Sequence, residues 1–134
     1  MQPILHHFPE SKQQELQEFI RLVAQVAPQE KAAFYDGKDK EGKVLTNPAL
    51  GFGSYTHHFS DGRVEQLYRI GISPNATGFS IYLLGLKDKE ILKTRFANSL
   101  GKAKVTGYCI KFKSLKDLDE KIVLDLIKFA LYYE

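Results

Sequence analysis

The sequence predicts an α+β domain in which an antiparallel sheet of about four strands carries its helices mainly on one face. Three observations lead there. Apolar residues recur at helical spacing near both ends of the chain and again after residue 88. Residues 51–84 alternate with period two, and short turn sequences link the alternating runs. Stripes of these two kinds are buried best by stacking helices on a sheet. At 134 residues the chain suits one domain, 1–134, with a single core.

Taken in order, residues 1–9 read as a loose lead-in, with Pro3 and Pro9 opposing helix. Ser11 and Gln14 have the spacing of a capping box. Leu16, Phe19, Ile20, Val23 and Ala27 then share one helix face, and Pro28 stops the helix. Residues 29–49 predict a turn of helix and an irregular exposed loop, since Asp36-Gly37, Glu41-Gly42 and Asn47-Pro48 all mark turns. Gly51–Phe59 reads as a strand, Asp61-Gly62 as its turn and Val64–Ile72 as the return. Ser73-Pro74-Asn75 supplies the next turn and Gly78–Leu84 the third strand.

A second helix is expected from Asp88, burying Ile91, Leu92 and Phe96 and ending at Gly101. Val105–Phe112 is the fourth strand. The last helix starts at Asp117, paired with Glu120 in a second capping box, and presents Leu118, Ile122, Val123, Leu126, Ile127, Ala130 and Leu131. The predicted order is α-β-β-β-α-β-α.

Composition narrows the function classes. Hydrophobic residues make up 43% and charged residues 26%, which suits a folded chain rather than a disordered one. No apolar run approaches the roughly 20 residues of a membrane span, so no membrane partner is expected. Met1–Phe8 lacks the basic start and apolar stretch of a signal peptide. A single cysteine, Cys109, allows no internal disulfide and points to a reducing, cytoplasmic setting.

The net charge of +3 is unevenly spread. Lys87–Lys116 holds nine basic residues against Asp88 and Glu90, or +7, which leaves −4 for the rest. Such a block either draws an anionic partner or forms a solvated lysine-rich surface.

Strand alternation then selects candidate residues. With Tyr108, Ile110 and Phe112 toward the helices, Cys109 and Lys111 take the opposite face, and Lys102 and Lys104 add charge beside them. Lysines near an exposed thiol would make Cys109 reactive or metal-binding. The competing reading is a small apolar filler. Arg69 and Tyr82 fall on the same open side, and Tyr55 and His57 share a face of the first strand. Together these groups suit a small anionic ligand, a protein partner or a homodimer contact.

Other chemistries find less support. His57 and His58 point to opposite strand faces, and His6 and His7 sit in the lead-in, so no structured transition-metal site is expected. Gly101 follows a helix and precedes a strand, the reverse of a phosphate-binding loop. Tyr68, Phe79, Tyr82 and Phe112 could stack bases, but no RNA-binding strand motif accompanies them, so nucleic acid is not an expected partner.

The segment Gly51–Asp119 carries a resemblance. GFGSY at Gly51–Tyr55, SDGR at Ser60–Arg63, GISP at Gly71–Pro74 and IYLL at Ile81–Leu84 are followed by LGKAK at Leu100–Lys104, by YCIKFKSL around Cys109, and by DLD at Asp117–Asp119. In this order and spacing the chain resembles the YdhG-like family, a family of unknown function. It departs from the family pattern at Asn75, Ala76 and Ala103. The resemblance implies an α+β fold and no established catalytic residues. Some bacterial members have been likened to frataxin and proposed as iron chaperones for iron–sulfur cluster assembly. Such a role would use Glu15 and Glu18, one helical turn apart, as oxygen ligands.

The reading is therefore a non-catalytic binding protein, using the sheet face opposite the helices for a small anionic ligand or a protein. No cofactor is evident. The alternatives are a frataxin-like iron chaperone, with iron as cargo, and a thiol-dependent role for Cys109.

Overall fold

The computed structural model describes residues 2–44 and 46–133; Met1, Leu45 (within the loop expected at 29–49) and Glu134 lie outside the described residues. Its elements in chain order are α1 (Glu10–Val26), β1 (Ala33–Tyr35), β2 (Ala49–Phe52), β3 (Tyr55–His58), β4 (Val64–Leu67), β5 (Ile70–Asn75), β6 (Gly78–Leu83), α2 (Ile91–Phe96), β7 (Lys104–Val105), β8 (Cys109–Phe112) and α3 (Glu120–Tyr132). Six strands form one antiparallel sheet in the order β1-β2-β5-β6-β8-β7, and β3 and β4 pair separately as a two-stranded ribbon. The α+β class and the antiparallel sheet agree with the sequence reading. The sheet has six strands rather than about four, and the element order is longer than expected.

Register explains the core. Phe34, Leu50, Ile72, Ile81, Ile110 and Val105 form one rung across all six strands. Phe52, Ile70 and Leu83 make the next rung on the same side, and Phe79 pairs Phe112 beyond Ile81. Against this apolar side lie Leu16, Phe19 and Val23 of α1 and Val123, Leu126 and Ile127 of α3, all buried. The Phe19 and Phe52 rings meet at 6.0 Å, which places α1 on this face.

Each difference from the sequence reading has a local cause. The first long strand divides into β2 and β3 at Gly53, whose φ of 77° takes the chain out of extended geometry. Its return divides into β4 and β5 at Tyr68-Arg69, where the Arg69 N–H donates to the Phe52 carbonyl and the Leu84 N–H to the Arg69 carbonyl. The turn read at Ser73–Asn75 is instead the end of β5. Pro74 is tolerated there because β2 pairs only with residues 70–72, so no β2 ladder bond is lost. The turn itself follows, and Asn75 Oδ1 accepts from the Thr77 N–H at 3.0 Å.

The chain ends also differ. The expected lead-in holds a 3-10 turn, Pro3–His7, with Leu5 and Phe8 buried and His7 stacked on Phe34 at 4.0 Å. Pro9, not Ser11, precedes the first residue of α1, and no side chain caps that helix. Asp88 accepts from the Glu90 N–H at 2.9 Å, but α2 begins only at Ile91. The cap of the last helix lies two residues later than expected. Leu115–Asp117 is a 3-10 turn, and Asp119 is the cap, accepting from the Lys121 and Ile122 N–H groups. Among the described residues, no helix is long and apolar enough to cross a membrane.

Candidate functional site

The sheet side away from α1 and α3 has a floor of small residues. Gly51, Gly71, Tyr82 and Cys109 form one rung, and Ser80, Lys111 and Lys104 lie on the next, with Ser80 opposite Ser73. Ala49, Ser73, Ser80 and Cys109 are all buried. The two serines are already engaged: Ser73 Oγ donates to the Pro48 carbonyl at 2.6 Å, and Ser80 Oγ accepts from Asn75 Nδ2 at 3.1 Å.

Tyrosines rise from this floor. The Tyr68 ring lies over Gly51 and Gly71, where a side chain would collide with it. Tyr35 meets Tyr68 edge to face, with centroids 5.0 Å apart. On the other side Tyr82 stacks with Tyr108 at 6.2 Å and an interplanar angle of 22°. Burial pushes the Tyr68 hydroxyl well above its ordinary value, and Tyr82, Tyr35 and Cys109 are near enough to oppose its phenolate further. Burial also raises the Tyr35 hydroxyl.

The charge lies at the β7–β8 end. Lys104 and Lys111 are direct cross-strand partners, so their stems leave the sheet on the same side. Like charges so placed are unfavourable by a few tenths to about 1 kcal/mol. Both lysines are exposed, and among the described residues neither forms an ion pair. Tyr82 is one rung away from Lys111 along the same face. An anion placed on the two ammoniums therefore has an aromatic surface beside it.

Several expected site residues fall elsewhere. Arg69 was expected on the same open side as Tyr82, but the bend at Tyr68-Arg69 reverses the alternation. Tyr68 takes the open face, and Arg69 Nη1 donates instead to the Tyr133 carbonyl beyond α3, at 2.8 Å. Tyr55 and His57 do share a face, but on the β3–β4 ribbon. Tyr55 Oη and His57 Nδ1 are 3.2 Å apart, and the Tyr55 ring lies against Gly85. Lys102 is exposed in the turn before β7, its N–H donating to the Asp117 carbonyl.

Cys109 has the expected face but not the expected exposure, being only 5% accessible. Burial pushes its thiol up; the Ser80 hydrogen bond and the Lys111 ammonium pull the other way and do not offset it. That is the setting of a small filler, not of a reactive thiolate. Tyr108, expected toward the helices, is 59% exposed. Thr106 Oγ1 accepts from the Cys109 N–H at 3.2 Å, so β8 starts only after Tyr108 and the alternation does not reach back to it. Tyr35 lies where a turn of helix was expected before the loop, and the chain there is instead strand β1; three residues carry too little periodicity to reveal it.

The two glutamates of the acidic alternative have partners. Glu15 Oε1 accepts from Ser114 Oγ at 2.6 Å and from the Leu115 N–H at 2.7 Å, which ties α1 to the 3-10 turn before α3. Glu18 is paired with Arg21, whose Nε donates at 3.0 Å and holds the carboxyl below its ordinary value. Among the described residues no three His, Cys, Asp or Glu side chains are grouped as metal ligands.

No protein-family model, curated protein or solved structure matches the chain.

Proposed function

We propose that this chain is a non-catalytic binding protein whose open sheet face takes a small anionic ligand. Lys104 and Lys111 receive the charge, and Tyr82 and Tyr108 receive a flat or apolar part of the same molecule. The observation that carries this reading is the cross-strand pair of lysines, without an ion-pair partner among the described residues, beside two stacked tyrosines. An anion between the ammoniums replaces repulsion with attraction, which is a reason for two lysines to stand opposite one another. The cytoplasm, where small organic phosphates and carboxylates are concentrated, suits a chain with one buried thiol.

The direct test is a thermal-shift screen against small phosphates and carboxylates, with the Lys104→Glu/Lys111→Glu variant in parallel. A ligand that binds only the folded state raises the melting temperature by mass action. The expected result is a shift with at least one anion that disappears in the variant. A shift that survives there, or no shift with any anion, removes this reading and leaves the face to a protein partner or a second copy of the chain. The iron reading rests on the motif resemblance alone, and the thiol reading on one cysteine; the geometry adds support to neither.

A further inference from the structure

We propose a second binding site, separate from the sheet face: the cleft between α2 and α3 takes a small aromatic carboxylate. The cleft is an open groove of about 650 Å³, a volume within the roughly 300–1,000 Å³ usual for small-molecule sites. Its floor is aromatic, with Phe96 and Phe129 centroids 5.6 Å apart and Tyr133 4.8 Å from Phe129. None of the tyrosines or lysines of the sheet face lines it.

Arg95 determines the ligand chemistry. Its guanidinium carbon lies 4.7 Å from the Phe129 centroid and 5.6 Å from that of Phe96. Two rings thus hold one planar cation in place. A guanidinium beside aromatic rings keeps its N–H donors, a planar fork matched to a carboxylate. Among the described residues no carboxylate is within ion-pair distance of it. Lys128 adds a second cation to the cleft wall and Asp125 the opposing charge, so these three groups sum to +1. Phe96 and Phe129 are themselves buried, so a carboxylate on Arg95 leaves an attached ring beside Tyr132 and Tyr133, the more accessible aromatic residues of the lining, where stacking or edge contact is favourable.

The test uses the full chain and fluorobenzoate, observed by fluorine NMR. A saturable shift is expected for the parent protein, weakened about tenfold or more by Arg95→Lys, which keeps the charge and removes the fork. Asp125→Asn is expected to tighten binding, and Lys104→Glu/Lys111→Glu to leave it unchanged. No saturable shift overturns the proposal, as does Arg95→Lys binding like the parent, which would mean bulk attraction only. Weakening by Asp125→Asn overturns it too, since the carboxylate would then be a ligand contact. Loss of binding in the lysine variant alone would place fluorobenzoate on the sheet face, overturning this site while supporting the other.

Discussion

The ring of Tyr68 occupies the space that a side chain at Gly71 would need. Gly71 has an ordinary strand conformation, so its smallness is required by the neighbour rather than by the backbone. Gly71→Ala is expected to displace Tyr68 and to destabilise the fold by about 1–3 kcal/mol. In Tyr68→Ala the same change should cost much less, because the obstacle is gone. A double-mutant cycle by denaturant unfolding measures this. Additive effects would show that Tyr68 does not press on Gly71.

Stability and binding should move in opposite directions at the lysine pair. Lys104→Gln removes a like-charge contact and is expected to stabilise the free protein by about 0.2–1 kcal/mol, while weakening the anion bound on the sheet face. Melting curves with and without a ligand found in the screen separate the two effects. A variant that loses stability and leaves affinity intact would contradict the proposed role.

Cys109 should label slowly at neutral pH, at a rate set by opening of the fold and unaffected by Lys111→Ala. Fast labelling that slows in that variant would instead restore the reactive thiolate. The same burial makes stability pH-dependent. The unfolded thiol titrates near 9.0, and the folded one higher, so the folded state binds the proton more tightly. Stability is therefore complete below pH 9.0 and falls as the pH rises toward the folded value. Tyr68, raised from 10.0, extends the loss to higher pH. Urea unfolding across this range is expected to be steeper in pH for the parent than for Cys109→Ala. Equal slopes would mean that Cys109 does not contribute.

Two carboxylates fasten α3 and the turn before it. Asp119→Ala removes the cap of α3 and is expected to cost about 1 kcal/mol. Glu15→Ala strands the Ser114 hydroxyl and the Leu115 N–H, at a cost of about 1–3 kcal/mol. If thermal unfolding shows neither loss, these hydrogen bonds contribute little to the fold.

Where the sequence was legible, an element could be read from its own periodicity. Strand β6 alternates from Phe79 to Leu83 with no special residue, and its limits were found within one position. Tyr82, Cys109 and Lys111 followed from the same alternation. Alternation fails wherever the chain bends without a turn sequence. Nothing local to Tyr68-Arg69 distinguishes a bend from a strand, because the bend is held by hydrogen bonds to Phe52 and Leu84, residues distant in sequence. The exchange of Tyr68 for Arg69 on the open face follows from that one event. The α2–α3 cleft was equally hidden, since Arg95 and Phe129 are brought together only by packing.

The ribbon contributes no rung to the six-stranded sheet, although its strands continue β2 and precede β5 in the chain. Gly53 at its base is fitted against Leu131 and Arg69, while Gly62 at its tip has open space around it. Residues added or removed around Asp61-Gly62 are thus insulated from the Gly51–Gly71 register. A fluorescent reporter or an affinity tag spliced in at that tip would leave the open sheet face and the α2–α3 cleft in place, giving a handle for following the protein in cells.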